Sequence, residues 1–341
     1  MIKNLELYKE NIDYALDKND LSKLKDTSVL VTGANGMIGS CIIDILNELN
    51  EKNDFNIKIY ALVRNNPLDR FLGYKNLTVI TQDVTKPFDF KYKFDYIING
   101  ASNSHPKKFS EEPVETFTTN FLGMQNVLEY AKDNNAKCVL FISSGEIYGE
   151  PNPDIKAFTE DYIGKIDPIN SRSSYPLGKI SGENLCIDYS KEYNIKTVIV
   201  RPCHTYGPTQ TDDDSRASSF FIRECLKGND ITLKSKGEQV RSYTYVVDSS
   251  IGILKALVNG EDQNAYNVSN NNSILSIADF ANKIANLSNK EVRFEIPTDA
   301  EKNSYNPVTR SVLDGSKLES IGWTPCFGID EGLKNTLNIM S

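Results

Sequence analysis

Six short apolar runs, rich in β-branched residues and separated by helical stretches, constrain this chain more than any other feature. They are "SVLVTG" (28–33), "IKIYALV" (57–63), "LTVIT" (77–81), "FDYIIN" (94–99), "KCVLFISS" (137–144) and "KTVIVRP" (196–202). Strands without a polar face must be covered on both sides, and strands joined through helices run parallel. The predicted fold is therefore α/β, a doubly wound parallel sheet. Beyond about residue 203 the alternation dissolves into turns such as "KGNDI", "KSKGEQ" and "VSNNNS". That stretch reads as a smaller C-terminal mixed α/β lobe, interleaved with late elements of the first. No internal repeat or low-complexity segment interrupts the pattern.

The first run passes straight into "TGANGMIG", with Gly33, Gly36 and Gly39, and then into the helical "SCIIDILNEL". Glycines between a first strand and a helix allow a tight turn and let the backbone approach a pyrophosphate, while the helix start offers free N–H groups. The arrangement makes the sheet Rossmann-type and predicts a dinucleotide held by Gly33, Asn35, Gly36, Met37 and Ile38. The second strand ends in "ALVRNN", with Arg64 and no acid where the adenosine ribose should lie. A guanidinium suits a 2′-phosphate, and it equally suits the role of a cover on the adenine face. NAD is the expected cofactor, with NADP left open by Arg64. Asp83 and Val84 of "QDV", after the third strand, are placed beside the adenine.

The expected organisation is an N-terminal helical extension over 1–26, an NAD(P)-binding domain over 27–203 and a substrate-binding lobe over 204–341. In the extension, Leu5, Ile12 and Leu16 suggest a short amphipathic helix. The chain has 341 residues and a net charge of −8, which disfavours a nucleic-acid or anionic-membrane partner. No apolar run approaches the ~20 residues of a membrane span, and the first 26 residues are too charged for a signal peptide. A cytoplasmic protein is expected. Six cysteines (41, 138, 186, 203, 225 and 326) and two histidines lack the usual zinc spacings, so no metal is expected. Cys138, inside "CVLFIS", reads as a small buried hydrophobe.

In "SSYPLGK" (173–179) a tyrosine and a lysine stand four apart, the spacing that brings side chains together on one helix face. Pro176 fits only a first turn, so a helix begins here. With the glycine turn, "NGAS" (99–102) and "SSGEIYG" (143–149), this Tyr-x-x-x-Lys resembles the extended short-chain dehydrogenase/reductase family. "RPCHTYGP" (201–208), "DDDSRASSFF" (212–221), "QVRSY" (239–243) and "YNVS" (266–269) look like substrate-side motifs of its nucleotide-sugar branch. The resemblance spans roughly residues 27–325 and is nearest to UDP-glucuronate decarboxylases.

The resemblance implies a catalytic set of Ser144, Glu146, Tyr175 and Lys179. A phenol has an ordinary pKa near 10, and a neighbouring ammonium favours its phenolate, so Tyr175 is expected to take the C4 hydroxyl proton with Lys179 beside it. Lys179 is also expected on the nicotinamide ribose, with Ala101, Ser102, Asn120 and Pro202 along the cofactor. Ser144 and Tyr175 would meet the reacting hydroxyl. Ser104 and His204 would meet the sugar, and Arg241 and Arg216 would clamp the diphosphate. His204 stands where relatives often have Asn.

Glu146 separates the possible reactions. Family 4-epimerases typically have no base there, whereas dehydratases and uronate decarboxylases resemble this chain in carrying Glu. Many dehydratases place Asp just before it; Gly145 has no side chain to donate a proton, and decarboxylation needs no such donor. Decarboxylases usually have Ser at that place, so Gly145 departs from both patterns. The expected function is NAD(P)-dependent decarboxylation of a UDP-glucuronate-type substrate through a C4 ketone. The alternatives are a nucleotide-sugar 4-epimerase or 4,6-dehydratase and, from another class, a non-catalytic dinucleotide sensor, which would have no use for Ser144, Tyr175 and Lys179 together. A homodimer through helices near 110–131 and 172–192 is expected from the same resemblance.

Overall fold

The computed structural model describes residues 2–104, 106–295 and 308–341. The six apolar runs become strands β1 (Ser28–Thr32), β2 (Lys58–Val63), β3 (Leu77–Thr81), β4 (Tyr96–Asn99), β5 (Cys138–Ile142) and β6 (Thr197–Pro202). After them come β7 (His204–Tyr206), β8 (Ile231–Leu233), β9 (Val240–Tyr245), β10 (Asn264–Val268), β11 (Ile274–Ser276), β12 (Val292–Phe294) and β13 (Arg310–Ser311). The large sheet is parallel throughout, in the order β10-β6-β5-β4-β1-β2-β3. Its order reverses between β1 and β4, and ligands bind beyond the strand ends at such a reversal.

The helices are α1 (Leu5–Leu16), α2 (Met37–Asn53), α3 (Pro106–Glu111), α4 (Pro113–Asn134), α5 (Ser174–Tyr193), α6 (Ala217–Leu226), α7 (Val246–Asn259) and α8 (Ile277–Leu287), with a C-terminal helix over Ile329–Met340. Alternate residues of each strand feed opposite layers. Val29 and Val31 pack with Ile42 and Ile45 of α2 and Ile253 of α7, while Leu30 packs with Met124 and Val127 of α4 and Cys186 of α5. Each such aliphatic side chain is fully enclosed and contributes about 1.5–3 kcal/mol by leaving water. Cys138 is enclosed as its run predicts, and burial pushes its thiol up to about 12.

Two readings change. The motif 266–269 was expected on the substrate side, yet β10 completes the large sheet beside β6, and α7, which buries nearly every residue, packs on α2 to lead into it. A helix enclosed on nearly every side has to lie between layers of the core. The α1 helix exists as expected, but Leu5 faces solvent, and Tyr8, Ile12 and Ala15 form its buried stripe. The Tyr8 hydroxyl donates to Asp44 of α2 at 2.9 Å, anchoring the extension to the sheet's helical layer.

The smaller lobe is assembled on β9, which pairs with β7 and β13 in parallel and with β11 antiparallel; β8 and β12 form a separate pair. Asn267 joins the two parts. Its amide donates to the carbonyls of Phe158 (2.9 Å) and Asp314 (3.1 Å) and accepts from the Tyr148 hydroxyl (2.7 Å).

Candidate active site

A cavity of about 920 Å3 opens where the sheet order reverses and runs on to the smaller lobe. At one end lies the glycine turn. Gly33 has φ +67°, and a Cβ there would stand 2.7 Å from the carbonyl oxygen of Gly100; a Cβ on Gly39 would come 2.3 Å from that of Gly33. Only glycine fits either place. Gly36 caps α2 without a side-chain hydrogen bond, so the first-turn N–H groups face the cavity uncapped. Asn35, Met37 and Ile38 line the same wall.

Arg64, Asp83 and Val84 line the end of the cavity where adenosine is expected. The Arg64 guanidinium is engaged by Glu115 of α4 at 2.7 Å, and both groups are largely exposed. Asp83 accepts from the backbone and hydroxyl of Thr85, both at 2.8 Å, and so caps its own loop while lining the cavity. Ala101, Ser102, Ser104 and Pro202 border the middle. Asn120 alone of the expected residues does not line the cavity. It is buried in α4 against Gly178 of α5, donating to the Thr116 carbonyl at 2.8 Å, because the close α4–α5 packing turns that helix face inward.

The segment expected to be catalytic rises from local rules. β5 ends at Ile142, and Ser144 starts a tight turn, Gly145–Tyr148, by accepting the Glu146 N–H at 3.2 Å; the turn carries Glu146, half-buried, to the cavity wall. α5 begins at Ser174 with Pro176 in its first turn, so Tyr175 and Lys179 reach the same cavity one turn apart. Lys179 Nζ donates to the Ile142 carbonyl at 2.7 Å and stands 5.7 Å from the centre of the Tyr175 ring.

Burial sets the charges here. It pushes the Tyr175 phenol up to about 12, against the Ser144 hydroxyl and Arg216, which favour the phenolate. It pushes the Lys179 ammonium down to about 7, with Glu183 pulling the other way. The Glu146 carboxyl is raised by the same desolvation, and the charges of Arg172 and Arg241 draw it back. A carboxyl whose pKa is raised keeps its proton to a higher pH than an ordinary glutamate and is a better acid–base group for it.

Toward the smaller lobe the cavity meets His204, Arg216 and Arg241. The Arg216 guanidinium is held by Asp214 through Nε at 3.0 Å and one terminal nitrogen at 2.5 Å. Arg241 donates to the carbonyls of Val240 (2.9 Å) and Val308 (2.7 Å), which fixes its head in the wall. His204 is neutral. Burial and the two arginines push its imidazole down to about 3, and its Nδ1 has no hydrogen-bond partner.

Sequence reasoning missed Phe109, whose ring lies on Tyr175, and Arg172, both of which line the cavity. Arg172 stands three residues ahead of Tyr175, and helical spacing read backwards from the tyrosine would have found it. Phe109 left no local signal.

The residues fit a dinucleotide. The uncapped start of α2 and the glycine cradle suit a pyrophosphate, and Asn35 Oδ1, Asn103 Nδ2 and Ser143 Oγ are buried on this wall without protein partners. Fold and cavity together define a dinucleotide-dependent enzyme, with Ser144, Tyr175 and Lys179 gathered at one wall of its cavity. Residues 29–269 match the NAD dependent epimerase/dehydratase family, and the chain belongs to it. It is 32% identical over 306 residues to UDP-glucuronic acid decarboxylase 5 of Arabidopsis thaliana, covering 89% of this chain and 86% of that one. To UDP-glucuronic acid decarboxylase 1 of Xenopus tropicalis it is 30% identical over 324 residues, covering 93% and 73%. The NAD complex of the UDP-glucose 4-epimerase of Thermus thermophilus superposes with a TM-score of 0.76 at 25% identity, covering 92% of this chain and 98% of that one.

Proposed function

We propose that this chain is a NAD-dependent decarboxylase of a UDP-glucuronate-type nucleotide sugar. The observation that carries the choice is the surroundings of Glu146. A Cβ at Gly145 would meet both terminal methyls of Leu313 at 3.0 Å, so the place where a dehydratase would hold its proton donor is filled by an aliphatic side chain. Glu146, half-buried beside two arginines, is then the acid–base group left for C5.

NAD, held by the glycine turn and the start of α2, would supply the hydride acceptor and donor for C4. Ser144 holds the C4 hydroxyl and Tyr175 takes its proton. The resulting C4 ketone makes the substrate a β-keto acid, whose C5–C6 bond breaks as CO2 leaves and its electron pair moves onto the ketone oxygen. Glu146 then gives a proton to C5, and Tyr175 returns its proton to O4. Arg241 and Arg216 would hold the diphosphate, and neutral His204 would donate or accept a single hydrogen bond to the sugar.

We place the cofactor unit in 27–203 and the substrate lobe in 204–341, with α7 and β10 returning to the large sheet. A homodimer through α4 and α5 is supported by the outward Leu122 and Ile180 on that pair. Among the described residues no helix is long and apolar enough to cross a membrane, and a cytoplasmic location is our reading.

Incubation with UDP-glucuronate and neutral nucleotide sugars, followed by mass spectrometry, tests the reaction. Loss of CO2 from the uronate is expected. Loss of water, or a stereochemical change at constant mass, would replace the decarboxylase by a dehydratase or an epimerase.

A further inference from the structure

The Phe109 and Tyr175 rings are nearly parallel, 14° between their planes with centres 4.2 Å apart, and the two side chains are 3% and 6% exposed. We infer that Phe109 is a positioning residue for the proton acceptor, fixing the plane of the Tyr175 phenol and keeping water from its face.

Two features of the fold support the role. Phe109 comes from α3, in the segment that follows β4, and not from α5, so the phenol is held by an element other than its own helix. The start of α3 is in turn tied across the cavity, where the Lys107 N–H donates to Ser215 Oγ at 3.2 Å, next to Arg216. One short segment thus links the loop on the diphosphate side to the ring that must accept the proton.

The stack has an electrostatic consequence. The face of a phenyl ring is negative, so lying against it disfavours a phenolate, as burial does. Phe109 therefore adds to the rise of the Tyr175 pKa, to about 12, leaving less phenolate at rest while holding the phenol oxygen in register with the substrate hydroxyl. Misplacement of a reacting group by about 1 Å can cost as much as 10²-fold in rate. The inference rests on Tyr175 as the base in the reaction proposed above, and not on the step that follows oxidation.

The test compares the parent, Phe109→Leu, Phe109→Ala, Phe109→Tyr and Tyr175→Phe, each as the full NAD-loaded chain with UDP-glucuronate over a pH series. Phe109→Leu keeps an apolar side chain and removes the aromatic face. It should lower kcat about twofold to tenfold, the worth of an aromatic pair, with KM changed less than twofold. Phe109→Tyr should restore the parent rate. Phe109→Ala should in addition move the acid limb of the pH profile down by about one unit, because a wetter phenol ionises earlier. A parent-like kcat and acid limb in both Leu and Ala variants would overturn the inference. A parent-like rate in Tyr175→Phe would instead overturn the base itself. A readout independent of turnover is 19F NMR of 3-fluorotyrosine placed at 175. Its titration should fall by about one unit on Phe109→Ala, and coincident titrations in parent and variant would equally refute the role.

Discussion

Lys179 Nζ donates a 2.7 Å hydrogen bond to the carbonyl oxygen of Ile142, the last residue of β5, from a side chain that is almost wholly enclosed. A carbonyl satisfies one N–H and neutralises nothing, so the ammonium is desolvated against weak compensation, and its pKa falls to about 7.

That depression makes a stability prediction. Between pH 7 and the ordinary lysine value near 10.4 the unfolded chain binds more protons than the folded one, so stability from this group rises with pH across that window. The cost is complete below pH 7. Lys179→Met should therefore raise the Tm of the ligand-free protein, most at pH 6, with the gain shrinking as pH climbs toward 10. At about 1.4 kcal/mol per unit the gain is a few kcal/mol at most. Thermal unfolding of both proteins over that range checks it, and a gain that grows with pH would refute it.

Tyr175→Phe keeps the ring on which Phe109 stacks and removes only the hydroxyl. NAD affinity should stay within about twofold while turnover falls by about 10² to 10⁴, the usual worth of acid–base catalysis. Fluorescence titration with NAD beside steady-state rates separates the two. A variant above roughly a tenth of the parent rate would strip Tyr175 of its role.

Arg64 has Glu115 at 2.7 Å, which offsets the guanidinium's charge just where a 2′-phosphate would seek it. The parent should prefer NAD. Glu115→Gln frees the guanidinium and should improve NADP relative to NAD by about tenfold, the lower end for a charged hydrogen bond. Adding Arg64→Ala should erase that gain. If calorimetric Kd ratios for the two cofactors do not move in either variant, the pair plays no part in the choice.

Glu146→Gln preserves shape and one acceptor while removing acid–base function. C4 oxidation should survive and the step at C5 should slow, so solvent deuterium enters C5 later than in the parent and a keto-sugar accumulates. Rapid-quench mass spectrometry in deuterated buffer follows both. Unchanged turnover, with no deuterium at C5 in either protein, would leave a 4-epimerase.

Much of this was legible along the chain. The six runs became strands within two residues at each end, because strands enclosed on both faces must be continuously apolar. The glycine turn and the Tyr175–Lys179 spacing were readable for the same reason: a tight turn and a helical face are contacts between near neighbours. The motif at 266–269 was expected on the substrate side and instead lies in the large sheet, since local pattern does not say which sheet a strand joins.

Only the tertiary structure decided what meets across the cavity. It laid Phe109 on Tyr175, set Leu313 where a side chain at Gly145 would project, gave Arg64 to Glu115, and turned Asn120 away toward Gly178. Each of these joins residues from different elements, and their meeting depends on how helices dock on the sheet rather than on any period within a segment. The sequence by itself determined the strands, the glycine turn and the helical spacing of Tyr175 and Lys179, because backbone sterics and burial act locally. The surroundings of that tyrosine came from packing between distant parts of the chain.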